Sequence, residues 1–443
     1  MRFLFLVLVA FCCTMNVSAQ SGKNVITSDI DNFWKAYDVI ISTKDSAAQY
    51  DAIQKMYIDK GTPGLKSIME ERQYTAKSYI DAINNYPAFW NSVRKSTYRS
   101  EQFGESISAE LVKLKKLYPG LKPANIYFTI GALRTSGTVA NGHVLIGAEL
   151  ALTDSNTVAS EFPGAMSKNR RRYFDSNPVN DVVLLNVHEY VHTQQYPPVD
   201  NLLSYCVREG VAEFVSVKAT GKPSSTPAIA FGKKNTKAVR AKFEADMFSL
   251  YKRDEWLWSD APNKFDVRDL GYYIGYAICE KYYQRAADKS KAIKEMIELD
   301  YSNENAFGKF VESSGYLSAS LDKLYNKFQK ARPVATGVKE FRNGSQDVDP
   351  ALTFITVRFS QKMDTRFRST GLGALGKDHF PKVSAIKFSA DGMSVTYEVK
   401  LEPGKEYQLI LENGYRSVDA LQLKQYEVHF KTSGTPLTAN QVN

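Results

Sequence analysis

At Arg332-Pro333 the hydrophobic period of the chain changes and does not change back. Upstream, apolar and aromatic residues recur every third or fourth position, as in Ile30, Phe33, Trp34, Tyr37 and Ile40, which is the pattern of helices packed on a core. Downstream, residues alternate over 354–359, 383–388, 394–399, 407–411 and 426–430, between turn signals at Asp391-Gly392, Pro403-Gly404 and Asn413-Gly414. Evenly spaced short strands of this kind predict a β-sandwich. A chain of 443 residues is also too long for one core. The expected class is therefore α+β: a mainly helical domain with a short β-sheet over 20–332, an all-β sandwich over 333–434, and a tail over 435–443.

Within the helical part, Ser28 is placed to cap the first helix, and breaks fall at Gly61-Thr62-Pro63-Gly64, Pro87 and Pro119-Gly120. Residues 126–130 and 143–146 read as two strands joined by a turn around Gly137 and Gly142. A polar, cationic loop is expected over 167–172, where it could recruit acidic substrates or serve as a solvated turn.

The first residues carry one cation at Arg2, an apolar stretch from Phe3 to Cys13 and the small-residue site Val17-Ser18-Ala19. This is the layout of a signal peptide over 1–19 and implies a secreted or periplasmic protein. The apolar run is shorter than the roughly 20 residues a spanning helix needs, and no later stretch is long and apolar enough. A formal charge of +9 arises from 57 basic and 48 acidic residues spread along the chain, without a nucleic-acid motif, so no nucleic-acid partner is expected. Cys206 and Cys279 admit either a disulfide or two buried free thiols.

Only five histidines occur, and two of them fall in His188-Glu189-Tyr190-Val191-His192. At this composition a chance match to H-E-x-x-H is expected on the order of a few times in a thousand chains. The motif closes an apolar run that starts after Asn177-Pro178 and stops at Pro197-Pro198, so it sits on a helix. Four residues apart, His188 and His192 project from one face and can share a metal ion, for which zinc is suited. Glu189, offset by about 100°, addresses a water beside that ion.

A third ligand is needed. A histidine six residues past His192 is absent, since position 198 is Pro198, and His143, His379 and His429 lie elsewhere. A second helix, capped by Asp200-Asn201 and ending near Gly221, carries Glu209-Gly210-Val211-Ala212-Glu213. Glu209 is the expected third ligand of Zn²⁺. Gly210 would let this helix approach the metal helix closely, and Glu213, one turn on, is suited to hold a ligand histidine by a hydrogen bond.

His188-Glu189-x-x-His192 followed by Glu209-Gly210-x-Ala212-Glu213 resembles the gluzincin metallopeptidases. The N-terminal helices, the glycine-rich strand pair and Gly271-Tyr272-Tyr273-Ile274-Gly275-Tyr276 are similar to secreted bacterial predicted zinc proteases related to gliding-motility lipoproteins of the Bacteroidetes type. The resemblance implies an edge strand at 143–150 that pairs with substrate, and an oxyanion-stabilising hydroxyl from Tyr272, Tyr273 or Tyr276, of which Tyr272 is chosen. The G-A-M-E-N exopeptidase signature is missing, with only Gly147-Ala148-Glu149 in its place, so aminopeptidase activity is not implied. In the last hundred or so residues, 359–364 (F-S-x-x-M-D), 401–407 (L-x-P-G-x-x-Y) and 430–432 (F-x-T) resemble bacterial Ig-like domains of the surface-layer type.

The resulting expectation is a zinc-dependent endopeptidase acting on a protein or peptide substrate, with Glu189 and Tyr272 catalytic and His188, His192 and Glu209 on the metal. Its Ig-like domain would contact cell-surface or periplasmic proteins. The alternative is a binding or adhesion protein that keeps the zincin scaffold with weak or no turnover.

Overall fold

The computed structural model describes residues 24–435, so the leader over 1–19 and nearly all of the 435–443 tail lie outside the described residues. The fold is α+β. It divides into two compact units: residues 24–195 with Val215–Pro223, and Tyr196–Phe214 with the chain from Ser224 onward. Among the described residues no helix is long and apolar enough to cross a membrane.

The first unit is built on an aromatic core. Phe33, Trp34 and Tyr37 of the helix Ser28–Ile41 meet Tyr57, Tyr79 and Trp90 with ring centroids 5.1 to 6.4 Å apart. That helix begins at Ser28, but its cap position is Thr27, and neither supplies a side-chain capping bond. The later breaks act as read: Thr62 caps Pro63–Arg72 through the Leu65 amide, and Pro87 opens Pro87–Thr97.

Against this core lies a four-stranded sheet of β1 (Val25–Ile26), β2 (Ile126–Thr129), β3 (Gly137–Ala140) and β4 (His143–Gly147), in the order β1-β2-β4-β3. The two expected strands are thus not a hairpin. β2 and β4 run parallel, and the supposed turn contains β3, which pairs antiparallel with β4. The edge strand beside β4 is consequently β3, β1 forming the other edge, whereas 143–147 is an inner strand and Ala148–Ala151 a helical turn. Tyr57 Oη locks the end of β2 by donating to Ile130 O at 2.6 Å and accepting from Ile130 N at 3.0 Å.

The expected cationic loop is a helix, Gly164–Asp175. Its arginines serve the backbone: Arg170 donates to Leu133 O at 2.6 Å, and Arg171 to Thr157 O at 2.7 Å and Ser155 O at 2.9 Å. These bonds tie neighbouring loops to the helix.

In the second unit, Leu270–Arg285 packs on Leu202–Thr220 through facing glycines. A Cβ on Gly210 would lie 2.0 Å from the Gly275 carbonyl carbon, and one on Gly275 only 1.8 Å from Cys206 O. Gly210 therefore serves close contact with the tyrosine-bearing helix. A Cβ on Gly271 would sit 2.7 Å from Cys206 Sγ. Cys279 lies eight residues further along, about 12 Å at 1.5 Å per residue, which is beyond disulfide reach. Both cysteines are free and buried, and burial pushes their thiols up.

After the last helix, Leu321–Ala331, the chain forms two antiparallel sheets. One has the order β5 (Ala335–Val338), β6 (Phe354–Phe359), β9 (Ser394–Lys400), β8 (Lys382–Phe388). The other is β11 (Tyr426–Lys431), β10 (Glu406–Leu411), β7 (Thr370–Gly371). Ile355, Val357 and Tyr397 from the first meet Leu409, Val428 and Phe430 from the second in one core, as the alternation predicted. Ser249 Oγ donates to Ala420 O at 2.9 Å and Tyr251 Oη to Asn413 O at 2.9 Å, fastening helical residues of the same unit to the sheets.

Candidate metal centre

Asn177 adopts a left-handed conformation with φ 54°, and Pro178 opens a 3-10 turn, so the motif helix starts at Val182 and ends at His192. Every one of its residues but Leu185 is buried. His188 and His192 project from one face, and their Nε2 atoms lie 3.1 Å apart. Two nitrogens bound tetrahedrally at zinc distances stand about 3.3 Å apart, so the pair is spaced for a shared ion.

His192 is also held in the required tautomer. Gln195 Oε1 lies 2.6 Å from His192 Nδ1; an amide oxygen only accepts, so Nδ1 carries the proton and Nε2 presents its lone pair. This partner was not among the expected residues. The signal available was Gln195 itself, three residues past the ligand at the helix end.

Asn201 caps the next helix as read, its Oδ1 accepting from Ser204 N at 2.8 Å. On that helix Glu209 is buried, and one ligand atom from each of His188, His192 and Glu209 forms a set lying within 4.8 Å of one another. Two imidazoles and a carboxylate are a fitting donor set for zinc. Among the described residues this is the single such group. Glu213 is buried too and accepts from Ser224 Oγ and, at 3.3 Å, from Thr226 Oγ1.

Glu189 is 7% exposed, and no hydrogen bond or ion pair engages its carboxylate among the described residues. It rests against the edge strand β3: a Cβ added to Gly137 would sit 2.8 Å from Glu189 Oε1 and 3.1 Å from its Cγ. Glycine at 137 thus leaves room for the carboxylate. Left without a protein partner, the Glu189 carboxylate is available for another interaction.

Of the three tyrosines, Tyr273 is buried and its hydroxyl lies 2.7 Å from Thr236 Oγ1, while Tyr276 is buried beneath Lys233 at 4.8 Å. Tyr272 is half-buried, and its oxygen accepts from Trp258 Nε1 at 3.1 Å. The other histidines have different work: His143 packs on Tyr127 at 5.2 Å, His379 Nδ1 meets Glu406 O at 2.9 Å, and His429 Nε2 meets Glu406 Oε1 at 2.8 Å.

Glu149, in the place compared with an exopeptidase signature, is fully buried. It accepts from Gly131 N at 2.9 Å and Leu133 N at 3.3 Å, bracing the loop that leads into β3. Burial pushes its carboxyl up to about 7, against the lowering effect of those amides.

No family profile matches the sequence, and no curated protein does. Among solved structures, the chain is similar to the crystal structure of the S-layer protein rSbsC(31-844) at 12% identity and TM-score 0.18, covering 74% of this chain and 45% of that one. Surface layer protein SbsC, domains 1-6, gives 14% identity, TM-score 0.18, and the same coverage. The chain thus spans less than half the length of both. The N-terminal part of the bacterial S-layer protein SbsC gives 13% identity and TM-score 0.18, covering 92% of this chain and 77% of that one.

Proposed function

We propose that the protein is an exported zinc-dependent metallopeptidase that hydrolyses internal bonds of polypeptides. The observation that carries this reading is the grouping of His188, His192 and Glu209 ligand atoms within 4.8 Å, next in sequence to an unpartnered buried Glu189. A zinc ion held by these three residues would supply Lewis acidity toward the scissile carbonyl and lower the pKa of a water toward about 7.

The chain's own residues do the rest. Backbone groups of β3 pair with an extended substrate, which gives affinity with little sequence preference. Glu189 takes a proton from the attacking water onto its carboxylate and passes it to the leaving amine. Gln195 keeps His192 oriented, and Tyr272 Oη donates to the developing oxyanion. The C-terminal sheets form an Ig-like sandwich that contacts cell-surface or periplasmic proteins and takes no part in the chemistry.

The test is Glu189→Gln, which removes the base and keeps the shape. Hydrolysis of an unfolded protein substrate should fall by about 10²- to 10⁴-fold with metal content unchanged. Cleavage at the wild-type rate would rule out the mechanism.

A further inference from the structure

Trp258 stands out on three independent counts. Its φ of 57° lies in the left-handed region, where a bulky side chain is strained and glycine or asparagine would sit at ease. The residue is 44% exposed, whereas Trp34, Trp90 and Trp256 are buried. It is nevertheless held firmly: its amide donates to Asp269 Oδ1 at 2.6 Å, its indole N–H donates to Tyr272 Oη at 3.1 Å, and its ring meets Tyr205 edge-on at 5.4 Å and 81°. A side chain needed only for packing would be buried, and a residue needed only for the turn would not be tryptophan.

The surroundings indicate what the ring is for. Tyr205 lies one turn before Glu209 on the same helix face, so the Trp258–Tyr205 pair extends the face that carries the third ligand. Tyr205 also lines a cleft of about 930 Å³ together with Tyr251, Tyr301, Phe307 and Tyr325, all within one unit. Arg253 stands 5.8 Å over the Tyr205 ring and pairs with Asp200 and Asp254, and Arg268 pairs with Asp269 at 3.2 Å, so the charges at the rim are already matched and Trp258 is the apolar surface left exposed.

We propose that Trp258, braced by Tyr205 and Tyr272, is a stacking platform for an aromatic side chain of the polypeptide substrate, and so sets the preferred residue near the cleaved bond. This rests on the peptidase reading for its substrate class, but binding can be read without turnover. As the single exposed tryptophan among the described residues, Trp258 is its own reporter.

The experiment uses the full mature chain carrying Glu189→Gln, titrated with a capped alanine-based hexapeptide containing one phenylalanine and with its all-alanine counterpart. The phenylalanine peptide should shift the tryptophan emission saturably, the all-alanine peptide should bind about tenfold more weakly, and Trp258→Phe should abolish the signal while keeping most of the affinity. Trp258→Gly relieves the strained backbone and so keeps the fold; it should erase the preference between the two peptides. In the active enzyme it should raise KM for the phenylalanine peptide about tenfold relative to that for the all-alanine peptide. Equal affinity for the two peptides, or an unchanged preference in Trp258→Gly, overturns the platform. Selective binding by a chain that hydrolyses neither peptide keeps the platform and removes the peptidase reading.

Discussion

The helical part and the two-sheet part of the molecule treat polar groups in opposite ways. Among the described residues the helical part buries Asp29, Glu149, Glu189, Glu209, Glu213 and Asp246, while the sheets bury only neutral polar side chains such as Gln408, Gln422 and Thr432. Most of those carboxylates are answered locally: Asp29 by Thr62, and Asp246 by Lys242 at 2.7 Å and Trp256 at 2.9 Å. Glu189 is not. Glu189, Glu209 and Glu213 gather on the two helices that carry the histidine pair and the third candidate ligand, whereas the sheets bury no charged side chain among the described residues.

The largest test of that contrast is Gly137→Ala. The new methyl group collides with Glu189 Oε1, and the flexible carboxylate gives way more readily than the strand. Peptide hydrolysis should fall roughly 100-fold, the scale expected when a catalytic group is misplaced by about 1 Å, with the melting temperature little changed. Retained activity would detach Glu189 from β3.

Glu149 sharpens the comparison through pH. Its carboxyl is raised to about 7 in the folded chain from 4.5, so the folded state holds a proton that the unfolded state releases between those values. Its contribution to stability is therefore greatest below pH 4.5 and is lost as pH rises through 7, by up to the order of 3 kcal/mol. Glu149→Gln should flatten that part of the stability profile measured by urea unfolding. An unchanged slope would mean the carboxyl is ionised in its site.

Gln195→Ala should weaken metal binding about 10- to 100-fold in a competition titration, since the His192 ring loses the acceptor that fixes its tautomer. Unchanged affinity would assign that role to another group. The smallest effect belongs to the sheets. Tyr397 and Tyr415 share a buried hydroxyl contact at 2.7 Å, so Tyr415→Phe should cost about 1 kcal/mol of stability and leave hydrolysis untouched. A loss of activity there would give the sheets a part in the chemistry.

How much of this could be read from the sequence follows from the range of the interactions. The motif helix and the Glu209 helix announce themselves by long apolar runs between stop signals, and strands such as β6 and β9 by alternation, because each of these signals is carried by neighbouring residues. β3 does not, because four residues beginning with glycine carry no alternation, so its place at the sheet edge was assigned to 143–150 instead. The helix Gly164–Asp175 is polar on nearly every side and is held by arginine bonds to distant carbonyls, which leave no periodic trace. Gly210 was recognised as a close-contact glycine, but its partner, Gly275, lies far along the chain and had no local signal. Trp258 was silent for a similar reason, since its strain and exposure exist only in the folded backbone.

The central claim is that His188, His192 and Glu209 hold one zinc ion. Elemental analysis of the purified mature chain tests it directly, with His192→Ala and Glu209→Ala prepared in parallel. The account predicts about one zinc per wild-type chain, and a loss in both variants that parallels the loss of hydrolysis. A wild-type chain without zinc after equilibration with the metal, or variants that bind it as well as wild type does, would contradict it.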